Sequence, residues 1–462
     1  MIKTAILAVL IGAGAAYSSD SSTADLLEKG IYTEETVGDL ESAIEIYARV
    51  VGHVEGERPH AAKALYRMAL CYQKIGDASQ AEATFRKLVN QYADQADFVA
   101  LAQAHLPDSV SILELGSIPW EDGEESHMVF QYPNGKPIGK VISAIERRQV
   151  EGRDVWHVQM RRMFGPTNRG ITNCLVDAES FKPIRTEVYH SVLGNLTADF
   201  KDGSATLWRE GSDDPQHLSL PSGPFENDVV GFVFRRLPLE VGYTDRVPIF
   251  PTFTGQQVDL GVDVAEIDTV TTPAGVFPSY RLDLSINQRA WISVDTRQSA
   301  QAEVSGLVGR LTEVVKRRRS ESRVFGNDLV SVHLPPDWAI FDSGPGLDRL
   351  ATLELQDPKA AIISGIQVMR VEKEKSLADR MDAVIQHNVH AFGTYEVIER
   401  AATENSGHFL AALEYDRKPA VHVRHFILTD KVYVKILFLI PKDQLEAQRP
   451  VLEEIVQRLK VL

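Results

Sequence analysis

The chain has 462 residues, 44% hydrophobic and 24% charged, which at roughly 150 residues per domain predicts about three domains rather than one. Lys and Arg total 49 against 64 Asp and Glu, and the resulting net charge of −15 opposes a phosphate backbone, so nucleic acid is excluded as a partner. Two cysteines cannot build a disulfide framework or a four-thiolate zinc site, and no apolar run reaches the ~18 residues of a membrane span.

Met1-Ile2-Lys3 places one positive charge before an apolar stretch that closes on Ala13-Gly14-Ala15-Ala16. That is the layout of a secretory signal peptide over residues 1–16, with Ala13 and Ala15 small enough for a signal peptidase pocket. No cysteine follows to accept a lipid, so the expected location is periplasmic or secreted.

Residues 24–106 carry an internal repeat. Gly38-Asp39-Leu40-Glu41-Ser42-Ala43-Ile44-Glu45-Ile46-Tyr47 recurs as Gly76-Asp77-Ala78-Ser79-Gln80-Ala81-Glu82-Ala83-Thr84-Phe85. Small Ala69 and Ala81 stand where two helices touch, and large Tyr72 and Phe85 fill the gap between them. The pattern resembles a tetratricopeptide repeat. The spacing is longer than that family's 34 residues, which predicts a bulge near residues 53–59, and Ala93 replaces the family's closing proline. Two copies fall below the ~3 needed for independent stability, so residues 95–106, with Phe98, Val99, Leu101 and Ala102, are expected as a capping helix. Tyr47, Tyr66 and Tyr72 are read as core. The resemblance implies a protein partner bound by the repeat; the alternative is an array that only packs on the next domain.

From 108 to 315 the periodicity becomes alternating, with turn signals every ten or so residues, which predicts a large antiparallel curved sheet. Residues 127–132 and 140–145 face each other across Pro133-Asn134-Gly135, a strong hairpin signal. Further strands are expected at 155–163, 172–176, 184–192, 196–200, 205–209, 262–270, 280–286 and 290–294, with one helical turn near 226–236. Asn134-Gly135, Leu237-Pro238-Leu239, Thr272-Pro273-Ala274-Gly275 and Trp291-Ile292-Ser293-Val294-Asp295 resemble a family of periplasmic domains of unknown function, shaped like the lipoprotein carriers LolA and LolB. That resemblance implies a sheet wrapped round a cavity for a lipid or other apolar ligand; the alternative is a concave face filled by its own side chains. Cys174 here and Cys71 in the repeat read as buried small apolar residues, with a cross-module disulfide left open.

Lys316-Arg317-Arg318-Arg319 opens residues 316–328, read as a solvated linker. Residues 329–462 form a charge-balanced α/β module. Strands are expected at 329–334, 351–355, 362–371, 396–403, 408–415, 421–428 and 432–440. A helix starts at Ser376, boxed with Asp379, and ends before Gly393; its apolar face is Leu377, Met381, Val384, Ile385 and Phe392. A final helix rests on Leu445, Leu452, Ile455, Val456 and Leu459, and Pro450 must lie early in it or kink it. With Leu334-Pro335-Pro336-Asp337-Trp338 near its start, this stretch resembles the PsbP-like fold, an α/β/α sandwich that acts mostly by binding proteins. The whole is a multidomain α + β chain.

No catalytic motif appears: there is no Gly-x-Ser-x-Gly elbow, phosphate loop, His-Glu-x-x-His or Cys-x-x-Cys. His387 and His390 fall on the polar side of their helix. His422 and His425 lie at odd separation on a strand and point to opposite faces. No catalytic, cofactor-binding or metal residue is assigned, no cofactor is expected, and the ligand-binding residues are unknown. The reading is an exported, non-enzymatic binding protein whose repeat engages a protein partner. One alternative is a carrier of a lipid or other apolar ligand in the central sheet, and a second is a hydrolase with a non-local active site.

Overall fold

The computed structural model describes residues 23–52, 58–92, 95–106, 113–165, 168–191, 193–220, 222–346, 348–371 and 375–462. The expected signal segment, Ala93, most of the bulge near 53–59 and the junction at 107–108 lie outside the described residues.

Helix α1 (Thr23–Tyr32) runs on through a π-helical turn (Thr33–Val37) and pairs with α2 (Leu40–Gly52). Helix α3 (Arg58–Ile75) pairs with α4 (Ala78–Gln91), and α5 (Ala96–Gln103) closes the stack. Gly38 and Gly76 turn the chain inside each pair at φ +76° and +85°, where a Cβ would be strained. The small residues do what the repeat requires: Ala43, Ala64, Ala69 and Ala81 are buried where backbones meet, while Tyr47 and Phe85 fill the gaps. At Gly30 a Cβ would lie 2.6 Å from the Tyr47 ring. Buried Glu34 accepts the Tyr47 hydroxyl at 2.8 Å, Arg67 Nε at 2.9 Å and Lys74 Nζ at 2.7 Å, tying both repeat copies together. Burial alone would raise the Glu34 pKa, but these three donors outweigh it and hold the carboxyl below its usual range.

The next strands are β1 (Glu124–Gln131), β2 (Pro137–Val150), β3 (Arg153–Met163), β4 (Arg169–Asp177), β5 (Pro183–His190), β6 (Gly194–Lys201), β7 (Ser204–Arg209) and β8 (Gln216–Ser219). After β9 (Phe225–Glu226) and α6 (Val230–Arg236) come β10 (Thr244–Phe250), β11 (Val258–Thr272), β12 (Gly275–Leu284), β13 (Gln288–Ser293), β14 (Ser299–Val304) and β15 (Leu307–Lys316). All fifteen join one sheet in the order β8-β7-β6-β5-β4-β3-β2-β1-β15-β14-β13-β12-β11-β10-β9. The pairings are antiparallel except β9 with β10, which is parallel and departs from the expected uniform meander. Two wings therefore meet at one seam, β1 against β15. Phe250 at the end of β10 packs with Val188, Leu196 and Leu207 of β5 to β7, so the sheet curls until its far wings touch.

Helix α6 lies inside the curl. Its Phe232 packs on Trp120 (5.3 Å between ring centroids) and Phe181 (6.3 Å), with Trp156 against Trp120 at 6.1 Å, geometry worth ~0.5–1.5 kcal/mol per pair beyond area burial.

The remaining chain forms a three-stranded sheet and a seven-stranded one. The first orders β16 (Arg323–Gly326), β17 (Val330–Leu334) and β25 (Lys460–Val461). The second joins β18 (Ala339–Asp342), β19 (Arg349–Gln356), β20 (Ile363–Arg370), β21 (Tyr395–Ala402), β22 (Ser406–Tyr415), β23 (Lys418–Leu428) and β24 (Val432–Pro441), with β24 inserted between β20 and β23. Helix α7 (Leu377–Ala391) covers Phe409, Ala411, Phe426 and Tyr433 on one face; α8 (Leu445–Gln457) joins the core of Val434, Ile436 and Phe438 on the other. The capping box of Ser376 and Asp379 is formed. The helix does not end on a left-handed Gly393: the chain leaves through Phe392 in extended conformation, drawn out by stacking of Phe392 on Tyr395. Pro450 falls inside α8.

The basic run is a solvated linker only in part: Lys316 and Arg318 are exposed, but Arg317 and Arg319 are drawn in, and β16 falls within residues 316–328. Lys316 ends β15, and Arg319 is buried, with its backbone N–H donating to Glu146 Oε1 at 2.7 Å and its side chain reaching Glu146 and His157. Arg317 and Arg323 reach Glu125 of β1 at 2.7 and 3.5 Å. These guanidiniums lie on the convex face of the large sheet, where Ile142 and Met163 pack on Ala339 and Phe341 of the last unit. Across the same junction Gln356 Nε2 donates to the carbonyls of Arg162 (3.1 Å) and Gly170 (3.3 Å).

Candidate functional site

Alternation along the strands sends one set of side chains to the concave face, and α6 fills only part of the space they enclose. Between α6, the sheet and the repeat helices remains a cavity of about 1010 Å³, the upper end of the ~300–1,000 Å³ usual for ligand pockets. The concave face is thus not filled by its own side chains.

The sheet side carries an apolar patch, Met128 and Phe130 of β1, Val141 of β2, Met160 of β3, Leu284 of β12 and Leu311 of β15, interrupted by polar and charged positions such as Ser126, Ser143, Arg162 and Arg289. Phe130 pairs with Gly309 across the seam, where a Cβ would lie 2.7 Å from its ring and 2.8 Å from the Met128 sulfur. Gly309 therefore lets both side chains lie over the seam. Phe232 and Phe234 of α6 add aromatic surface, and at Gly231 a Cβ would meet nothing within 4 Å.

The repeat supplies the opposite side, with Met68 and Tyr72 of α3 and Ala83, Thr84, Arg86 and Lys87 of α4. Tyr72, expected in the repeat core, is only half-buried and faces this space; Tyr66 is half-buried among Phe85, Phe98 and His105, and only Tyr47 is fully enclosed. Helix α4 is clamped to the sheet: Arg86 bridges Glu82 (2.9 Å) and Asp259 of β11 (3.2 Å), and Arg246 of β10 reaches Glu82 at 2.8 Å.

Beside the cavity sits a buried polar cluster. Asp228 accepts from Thr172 and pairs with Arg162. Next to it Glu226, fully buried, accepts from Thr252 Oγ1 at 2.9 Å and from the Asp228 backbone N–H at 2.5 Å. Burial, and then the charge of Asp228, push the Glu226 pKa up to about 8. Burial acts on Asp228 too, but Arg162, Thr172 and Asn227 outweigh it and its pKa falls. Perturbed carboxyls at a cavity wall mark functional sites but also occur in structural ion-pair networks; here both carboxyls are engaged by fixed protein partners.

The singled-out histidines and cysteines lie elsewhere. His387 and His390 are exposed, and His390 bonds to the Gln386 carbonyl of its own helix at 2.7 Å. His422 meets Phe392 and Tyr395 on the α7 face, while His425 stacks on His408 on the other, as their odd spacing requires. Cys71 and Cys174 are buried and unpaired, so the disulfide left open is not formed. Among the described residues no group of three or more His, Cys, Asp or Glu could hold a metal, and no helix is long and apolar enough to cross a membrane.

Residues of the cavity wall come from the repeat, α6 and strands of both wings, so no local spacing signals them. The one legible hint is the resemblance to a family whose sheet wraps round a cavity.

Among solved structures the chain resembles a cyanobacterial PsbP (CyanoP) from Synechocystis sp. PCC 6803, at 11% identity and TM-score 0.25 over 31% of this chain and 94% of that one. It also resembles the MucB of a MucA/MucB complex from Pseudomonas aeruginosa (9%, TM-score 0.17, 74% and 95%). A third is an exported protein with a YmcC-like fold from Bacteroides fragilis (12%, TM-score 0.19, 44% and 100%). At such scores the fold rests on its own registers and contacts rather than on these likenesses. No curated protein matches the chain. Residues 37–105 match a tetratricopeptide repeat model, and residues 127–330, which hold most of the sheet lining the cavity, match a family described as a protein of unknown function, DUF3108.

Proposed function

We propose that this is an exported, non-catalytic binding protein that holds an apolar chain in the cavity between the curled sheet and the repeat. The observation that carries the reading is the cavity itself: about 1010 Å³, walled by Met128, Phe130, Val141 and Phe232, with the neighbouring carboxyls engaged by fixed partners. Water in such a space gains little from apolar walls, and an apolar ligand recovers ~25 cal/mol per Å² of surface removed from water. The repeat serves as the roof, held by Arg86 and Arg246.

Filling the cavity tests this. Gly231→Phe adds a ring where a Cβ meets open space, in a helix where phenylalanine is favoured over glycine by roughly 0.5 kcal/mol of propensity. The variant is expected to keep its melting temperature or raise it, and to lose at least tenfold in affinity for a fluorescent lipophile such as N-phenyl-1-naphthylamine. A stable variant that binds the probe as the parent does would end the proposal.

A second reading, protein recruitment through the repeat, is favoured by one observation. Val37 and Ile75 occupy equivalent positions before Gly38 and Gly76, and both are exposed, with Tyr32 beside the first. This apolar edge lies on the turns rather than on the α4 surface that meets the sheet. Charge at Val37 and Ile75 would abolish a partner's binding and leave the lipophile's unchanged.

A further inference from the structure

Cations are gathered in the lining of the cavity. In a protein of net charge −15, the cavity is lined by Arg86, Lys87, Arg162, Arg235, Arg246 and Arg289, opposed in the lining only by Asp228 and Asp259. Each arginine already has a carboxylate. Arg86 and Arg246 hold Glu82 and Asp259; Arg162 holds Asp228. Arg235 reaches Glu124 at 2.6 Å, and Arg289 reaches Asp283 and Glu303, each at 3.2 Å. Lys87 alone among the lining cations has no carboxylate partner among the described residues.

Resting on the reading above, we infer that the bound molecule is a single-chain amphiphile with an anionic head, a carboxylate or a phosphate, whose head pairs with Lys87 of α4 and whose tail lies against Met128, Phe130 and Val141. The placement gives the orientation. Lys87 belongs to the repeat side, and Met128, Phe130 and Val141 belong to strands β1 and β2 of the sheet, so head and tail rest on different elements of the wall. Lys87 is exposed, yet the protein packed about it lowers its pKa from the usual lysine value, and burial is the cause. An ammonium so placed gains from a counter-ion more than a lysine in bulk water does.

The test uses the full-length protein and three probes of one chain length, dodecanoate, dodecyl phosphate and dodecanol, each displacing N-phenyl-1-naphthylamine. Both anions are expected to bind about tenfold tighter than the alcohol, the order of one charge-assisted hydrogen bond. K87M should weaken the anions to the level of the alcohol, and K87R should restore them. Preference for dodecanoate over dodecyl phosphate, or the reverse, distinguishes a fatty acid from a phosphate-headed lipid. Equal affinity for anion and alcohol in the parent, or an anion preference that survives K87M, overturns the assignment while leaving an apolar binding protein. If none of the three displaces the probe and the probe itself does not bind, the broader reading fails instead.

Discussion

At pH 8.5 the E226Q variant is expected to be more stable than the parent chain by at least the ~1.4 kcal/mol of one pKa unit, and near pH 4 the two should converge. Glu226 is buried beside Asp228, and both burial and that charge favour its neutral form, pushing its pKa up to about 8 from an ordinary value of 4.5. Between those values the folded chain keeps a proton that the unfolded chain has lost. The folded state is therefore favoured at low pH, and the stability this group contributes is lost as pH rises through the window. Glutamine keeps the shape and never ionises, so its advantage grows from pH 4.5 to 8 and then levels. Urea unfolding at half-unit pH steps would show it; a difference that stays flat across that window would refute the assignment.

Glu125 has the opposite sign. On the convex face of β1 it meets His127 Nε2 at 2.5 Å, Arg317 at 2.7 Å and Arg323 at 3.5 Å. Burial would raise its pKa, but the hydrogen bond and field of His127, with the charges of Arg317 and Arg323, outweigh it and hold the carboxyl at about 2. Its contribution is present above the unfolded value of 4.5 and is lost as pH falls toward 2. E125Q is thus expected to lose about 3 kcal/mol at pH 7, leaving two guanidiniums facing a neutral amide at the junction with the last unit. The deficit should shrink below pH 4.5. Unfolding at pH 7 that matches the parent would show that the cluster contributes no net stability.

The sequence showed periodicity well and side-chain destination poorly. The Asn134-Gly135 hairpin, the Ser376 capping box and the long strands of the last unit carry local signals, and they form as expected. Strands β8, β9, β10, β14, β15, β16, β18 and β25 are not among the expected ones, and β16 falls inside the stretch expected as linker. Ser299–Val304 offers only Ala300, Ala302 and Val304 on its apolar face, and Thr244–Phe250 contains a proline, so neither reads as a strand until the sheet around it supplies partners. The arginines after Lys316 were read by charge alone. What separates them from a solvated run is that they are arginines, whose planar, weakly hydrated heads suit buried carboxylates and carbonyls. The cavity was legible only through resemblance, and Lys87 not at all, because its isolation depends on where every other lining cation finds a partner.

The seam between β1 and β15 bears on how fast the molecule assembles. Within each wing successive strands are neighbours in the chain and close short loops. At the seam, Thr312 Oγ1 donates to the His127 carbonyl 185 positions away. Each doubling of a closed loop adds ~0.6 kcal/mol of entropic cost, so bringing the seam together costs roughly 3–4 kcal/mol more than forming a hairpin turn. The wings can fold early and alone, and union at β1 is the slow step. Arg317, next after β15, and Arg323 of β16 both clasp Glu125 on β1, so the contacts that close the seam also tie in the start of the last unit.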